Sequence, residues 1–263
     1  MRKFVLIYFS LSFACLMIAC GHSKIESTRT DEDKIHMVHS QLNHALDLAR
    51  KLPRDTTSEH LQKKIAPVLK EIARATNSEK KQVVEAIQVL REHPQGFIAL
   101  KGIYESLPRS EYTQRVLILA VVGEMRQSDS IHFLKSIVWS ALPESPTQSG
   151  CGLGNGEREG LVQRKAIQAI AYLRTGESDK EMLRIIKDHS SYPLRIAAID
   201  AYLWNHQDNQ EVQKQLYSLL PSELHKYVGM PRIHRGMNRE EFKRRLSAWR
   251  KRWAQPSIEK SNP

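Results

Sequence analysis

Apolar residues enter this chain at helical intervals. Ile35, Val38, Leu42, Leu46, Ala49 and Leu52 recur at steps of three and four, which places them on one face of a helix. Thr30-Asp-Glu-Asp33 ahead of them has the form of a capping box, and Pro53 marks the end. The same grammar continues downstream. Strand-like alternation is nearly absent, and Pro and Gly fall mostly between helical segments. The pattern predicts an all-α protein.

The segments also repeat. Arg115-VLILAVVGEM, Arg164-KAIQAIAYL and Arg195-IAAIDAYL each open on Arg and run into small and aliphatic residues. The second and third lie 31 residues apart. The first and second lie 49 apart, one period plus an insertion of some 18 residues at 142–159. Gln82-VVEAIQVL precedes Arg115 by 33 residues, with Gln in the Arg position. A period of 31 to 33 with two helices per unit predicts stacked helical hairpins.

These segments resemble HEAT repeats. Arg164-Lys-Ala166 and Arg195-Ile-Ala197 match the start of that family's second helix. Val122-Gly123-Glu124 matches the small residues near its end, and Ile65-Ala66-Pro67-Val68-Leu69 matches its Pro-containing first helix. The resemblance covers residues 58–220 and rests on periodicity. It implies an α-solenoid spanning residues 31–220, with the repeated Arg pairing to a neighbouring carboxylate or carbonyl or else forming a ligand-facing basic ladder.

The N-terminus carries a different signal. Arg2 and Lys3 precede an apolar run from Phe4 to Ala19. Its 16 residues fall short of the ~20 that a spanning helix needs, as in a cleaved export signal. The run closes on Met17-Ile18-Ala19-Cys20-Gly21, which resembles the lipobox of bacterial lipoproteins. That resemblance implies residues 1–19 as signal peptide and a mature chain starting at Cys20, with diacylglycerol on its thiol and an acylated amine. Gly21 leans the expected address towards the outer membrane rather than the inner. Residues 20–30 read as a tether and 255–263 as a disordered tail.

Composition narrows the partners. The formal charge of +11 leaves about +9 after the signal. A basic exported protein is drawn to anionic lipid, polyanionic glycan or acidic protein, and the address excludes nucleic acid. Of three cysteines, Cys15 lies in the signal, Cys20 is the lipid site and Cys151 is left over. No internal disulfide framework is expected, so the core carries the stability.

Candidate chemistry is sparse. The insertion holds Gly150, Gly152, Gly154 and Gly156 around Cys151. It reads as a plain loop, a partner-binding loop or a ligand loop. No strand precedes it and no Gly-Lys-Ser follows, which weakens a phosphate-loop reading. Cys151 is a candidate loop thiol, open to an intermolecular disulfide. Glu32, His36, His39 and Asn43 share one helical stripe with metal-ligand spacing, yet a solvated face explains them as well and no metal is expected. Near the C-terminus, Phe242, Leu246, Trp249 and Trp253 form an apolar stripe. Lys226 to Arg252 contains ten Lys or Arg against two Glu. This 221–254 segment is expected to cap the solenoid, with membrane-interface binding and acidic-partner recognition as the alternatives. Arg232, His234 and Arg235 in its irregular loop are candidate anion- or partner-binding residues.

No catalytic triad order, HExxH motif or paired catalytic carboxylates occur. The expectation is therefore a non-enzymatic, cofactor-free envelope lipoprotein that binds a protein partner through its solenoid. Alternatives are an immunity or inhibitor protein, an envelope-maintenance component binding anionic lipid or glycan, or an enzyme or cofactor-handling protein using Cys151 or the Arg/His loop.

Overall fold

The computed structural model describes residues 45–53, 57–75, 80–143, 153–206, 209–233 and 237–254. Every regular element among them is helical. Residues 45–50 are helical, with Ala45, Leu46, Ala49 and Leu52 buried. Then follow α1 (Ser58–Arg74), α2 (Lys80–Glu92), α3 (Gly96–Ser106) and α4 (Tyr112–Met125). A 3-10 turn at Ser128–Ser130 leads into α5 (Ile131–Val138), α6 (Asn155–Leu173), α7 (Gly176–Asp188) and α8 (Tyr192–Asn205). The chain continues through α9 (Gln210–Leu219), α10 (Ser222–Val228) and α11 (Arg239–Ala254). None of the described helices is long and apolar enough to cross a membrane.

Sequence chemistry explains where these helices start and bend. Pro67 lies inside α1 but faces solvent, where water satisfies the carbonyl its ring leaves unbonded. Thr175 caps α7 by accepting from the Ser178 N–H at 3.1 Å, and the Ser178 hydroxyl oxygen accepts in turn from the Thr175 N–H at 2.9 Å. Pro193 stands in the first turn of α8, the turn that needs no N–H at that position.

Packing follows an alternating rule. From α2 to α10, each even-numbered helix packs on the next even-numbered one, and α3, α5, α7 and α9 each pack on the helix that follows. The broadest of these contacts joins α4 to α6. Helix α1 packs directly on α3, whereas the later odd-numbered neighbours meet through long side chains. Phe133 of α5 receives Phe97 and Tyr104 of α3 edge-on, at 6.0 and 5.1 Å. The Trp139 indole after α5 donates to Glu181 of α7 at 2.7 Å. One apolar core runs unbroken from Ala49 to Val228.

Two buried histidines tie distant segments together in the same way. His93 accepts from the Gln95 N–H on Nδ1, so its Nε2 donates to the Pro53 carbonyl at 2.9 Å. His189 accepts from the Ser191 N–H and donates from Nε2 to the Val138 carbonyl at 3.1 Å. Each imidazole satisfies a backbone donor and a backbone acceptor that helix ends would otherwise leave unpaired.

The repeated Arg is structural at two of its three positions. Arg115 makes a fork of bonds to Glu159 at 2.7 and 3.0 Å and donates to the Tyr104 hydroxyl at 2.7 Å. Arg195 donates from Nε to the Ile186 carbonyl at 2.8 Å. Arg164 instead lies exposed, and fully buried Gln163 takes the inward place, donating to the Ser140 carbonyl at 2.6 Å. The α6 repeat is therefore shifted by one residue from the sequence alignment, and the Gln seen at position 82 has a counterpart here. The insertion is also shorter than 142–159. Helix α6 starts at Asn155, where the Gly154 N–H donates to the Glu157 carboxylate at 2.8 Å, and Glu159 is a core residue.

Helix α11 is held less deeply than a core cap. Its Trp249 indole donates to the Lys226 carbonyl at 2.8 Å. Phe242, Leu246 and Trp249 are only half-buried, however, and Trp253 is exposed. The short stripe cannot cover itself fully because α10, the helix it meets, is only seven residues long.

Breaking the Arg115–Glu159 pair tests its weight. Glu159→Ala leaves a buried guanidinium unpaired and is expected to remove about 3–5 kcal/mol of stability. In a protein of this size that lowers the thermal midpoint by roughly 10 °C. The double variant Arg115→Met/Glu159→Leu should lose much less, because no charge is stranded. Circular-dichroism melts of the three proteins check both outcomes; equal losses would show that the pair is not coupled.

Candidate functional site on the even-numbered helices

The most perturbed ionisable groups lie together where α4 crosses α6. Gly123 permits this crossing. A Cβ on it would stand 2.9 Å from the Ala169 Cα and 3.0 Å from its Cβ. The next residue, Glu124, faces α6, where Lys165, Gln168 and Tyr172 form one stripe at helical spacing. Burial pushes the Glu124 carboxyl up to about 7, against the opposing pull of Arg126, Lys165 and Arg174. Burial pushes the Lys165 ammonium down to about 8, opposed by Glu124. The Lys165 Nζ donates to the Gln168 side-chain Oε1 at 2.7 Å, not to Glu124. Among the described residues, no donor bonds the Glu124 carboxylate. Both side chains are densely surrounded by protein yet keep contact with solvent. We call this shared, half-buried face of α4 and α6 the trough.

Cations line the end of this trough. Arg91 occupies the last turn of α2, and Arg126 and Arg174 are the residues that close α4 and α6. Arg126 and Arg174 have φ of 50° and 53°, and among the described residues they alone combine a side chain with a left-handed backbone. Gly normally fills such a position, and any side chain there carries an energetic penalty. A cation at a helix C-terminus is favourable to the dipole, which recovers part of it. The Arg126 guanidinium is half-buried, and no described residue accepts a hydrogen bond from it. Its burial, and then the nearby Arg174 and Arg91 charges, lower its affinity for the proton. Arg174 donates from Nε to Asn205 at 3.1 Å, and beside it Tyr172 and Trp204 lie ring to ring at 5.9 Å.

Cys20, Cys151, His234 and Arg235 lie outside the described residues, as do Glu32, His36, His39 and Asn43. Arg232 is described and turned inward. It pairs with Asp200 at 2.9 Å and donates to the Met230 and Tyr227 carbonyls at 2.8 and 2.9 Å. Those bonds make it a brace between α8 and the loop after α10, with its donors directed into the protein. No group of three His, Cys, Asp or Glu able to hold a metal occurs among the described residues.

Sequence reading passed over Glu124, Lys165, Arg126 and Arg174. Glu124 and Lys165 sat inside the repeat motif as packing residues. A signal was available: Arg126 and Arg174 both occupy helix-ending positions where glycine is usual. No family model, curated protein or solved structure matches this chain.

The raised carboxyl has a measurable sign. Glu124 ionises at higher pH folded than unfolded, so it costs stability as pH rises above 4.5, with the full cost present above about 7. Glu124→Gln is therefore expected to stabilise the protein by about 2 kcal/mol at pH 8. The gain should fade towards pH 4, where both folded and unfolded carboxyls hold their protons. Urea unfolding of wild type and variant at the two pH values checks this; a pH-independent difference would refute it.

Proposed function

We propose that the protein is a membrane-anchored envelope lipoprotein whose helices form an α-solenoid of HEAT-like hairpins, and that it holds a protein partner on the face of its even-numbered helices. The alternating packing of α2 to α10 supports the solenoid reading. The lipobox-like Met17 to Gly21 supports attachment through Cys20, on an outer-membrane address by the lean of Gly21. A tether of ten or so residues then keeps the body within at most ~35 Å of the bilayer.

The observation that carries the binding role is the stripe of half-buried polar and aromatic side chains shared by α4, α6 and α8. Glu124, Lys165, Gln168, Tyr172 and Trp204 lie on it. Perturbed titrating groups and aromatic residues gathered on one face are more typical of a recognition surface than of a solvated one. A second reading has its own support. Exposed Trp253 and the outward Arg244, Arg250, Lys251 and Arg252 of α11 suit an anionic lipid or glycan surface.

Whole-cell crosslinking followed by pull-down tests the scaffold reading. Wild type should recover one stoichiometric partner, and Gln168→Arg/Trp204→Ala should lose it. A control at exposed Lys70 on α1, Lys70→Glu, should keep it. Recovery of the protein alone, or equal recovery by all three, would sink the proposal.

A further inference from the structure

The cationic end of the trough is costly in three separate ways. Two of its arginines occupy a backbone conformation that glycine adopts without penalty. Their charges stand near enough to repel, and Arg91 adds a third. The central one, Arg126, is half-buried with no described hydrogen-bond acceptor. A buried guanidinium ordinarily finds acceptors within the fold, as Arg115 and Arg232 do here. Helix capping does not explain the choice, since Gly at both positions would close the helices at lower cost.

An anion from outside would resolve the second and third, and would account for side chains kept where Gly costs less. We propose that the row Arg91–Arg126–Arg174, with the Tyr172–Trp204 pair beside it, is a docking strip for an extended acidic segment of a polypeptide. This rests on the partner-binding reading above and names the chemistry of the partner.

The geometry favours a peptide over a flat surface. Neighbouring packed helices lie about 8–10 Å apart, so the three helix ends span roughly 20 Å. An extended polyproline-II chain has three residues per turn and advances about 3.1 Å per residue, so six or so residues cover that row. Carboxylates three positions apart would meet successive guanidinium groups, each able to form a two-pronged bond. A bilayer reaches exposed Arg91 and Arg174 but not half-buried Arg126, whereas a single chain can enter beside it. The Gln127 amide after Arg126 donates to the Arg91 carbonyl at 2.8 Å, which ties two of the three helix ends together. The groups facing Glu124 are Arg126 on the segment that follows it and Lys165 and Arg174 from α6. As pH falls through about 7, Glu124 loses its charge and the strip becomes more positive, which strengthens anion binding.

Fluorescence anisotropy on the detergent-solubilised full chain tests this. The probe is a labelled decapeptide rich in Asp and Glu with one aromatic residue; its Asn/Gln counterpart is the control. The acidic peptide should bind, more tightly at pH 6 than at pH 8 and less tightly with added salt. Arg126→Gly and Arg174→Gly should each weaken it about tenfold or more, without lowering the thermal midpoint, since Gly relieves the left-handed backbone. Equal binding by the double glycine variant would overturn the proposal. So would indifference between the two peptides. Arginine-dependent binding to phosphatidylglycerol vesicles with none to the peptide would assign the strip to lipid and also overturn it. If the double variant still captures the cellular partner, the acidic-segment inference falls and the scaffold reading stands. If wild type captures no partner, the scaffold reading falls.

Discussion

The Arg115–Glu159 pair sets the relation between the two halves of the described fold. Arg115 belongs to α4 and Glu159 to α6, and the interruption in the repeat lies between them. Two buried charges stay buried only when their hydrogen-bonding capacity is met. Here the fork of two bonds, the Tyr104 hydroxyl and the Phe133 edge against Tyr104 form a closed set. That set requires α6 to lie against α4 however the intervening loop runs. The broad α4–α6 contact, the Gly123–Ala169 approach and the juxtaposition of Glu124 with Lys165 all follow from it.

The same helix ends show how such a fold separates structural from interacting charge. Arg115, Arg195 and Arg232 direct their guanidinium groups into carbonyls and carboxylates of neighbouring elements. Glu181 gathers the Trp139 indole, Lys135 at 3.3 Å and Arg184 at 3.7 Å in a similar internal set. Arg126 and Glu124 lack such bonds among the described residues, although each is crowded by protein. Hydrogen bonds therefore hold the first set of charges, while among the described residues Glu124 and Arg126 act on their neighbours only through space.

Much of the fold was legible because helical periodicity is a local property. Apolar steps of three and four marked residues that are indeed buried, such as Leu46, Ile65, Leu69 and Ile199. Boundaries were less legible. Gly154 and Gly156 read as loop, yet the Glu157 carboxylate turns the second of them into the first turn of α6. The one-residue shift that places Gln163 inward was invisible because Arg164 also follows the repeat pattern. Only the position of the Ser140 carbonyl decides between them. The trough was not legible at all as a site. Glu124 and Lys165 lie 41 residues apart, and nothing in either segment states that their helices cross.

The sequence by itself determined the all-helical make-up of the described residues and the basic charge, because each depends on residue type and near-neighbour spacing. Tertiary structure alone decided which repeated arginines are internal, which glutamine replaces one, and which carboxyl is pushed up to about 7. Those outcomes depend on burial and on distances between helices. Desolvation and charge–charge energies change steeply over a few ångströms, and the order of residues along a chain does not specify those ångströms.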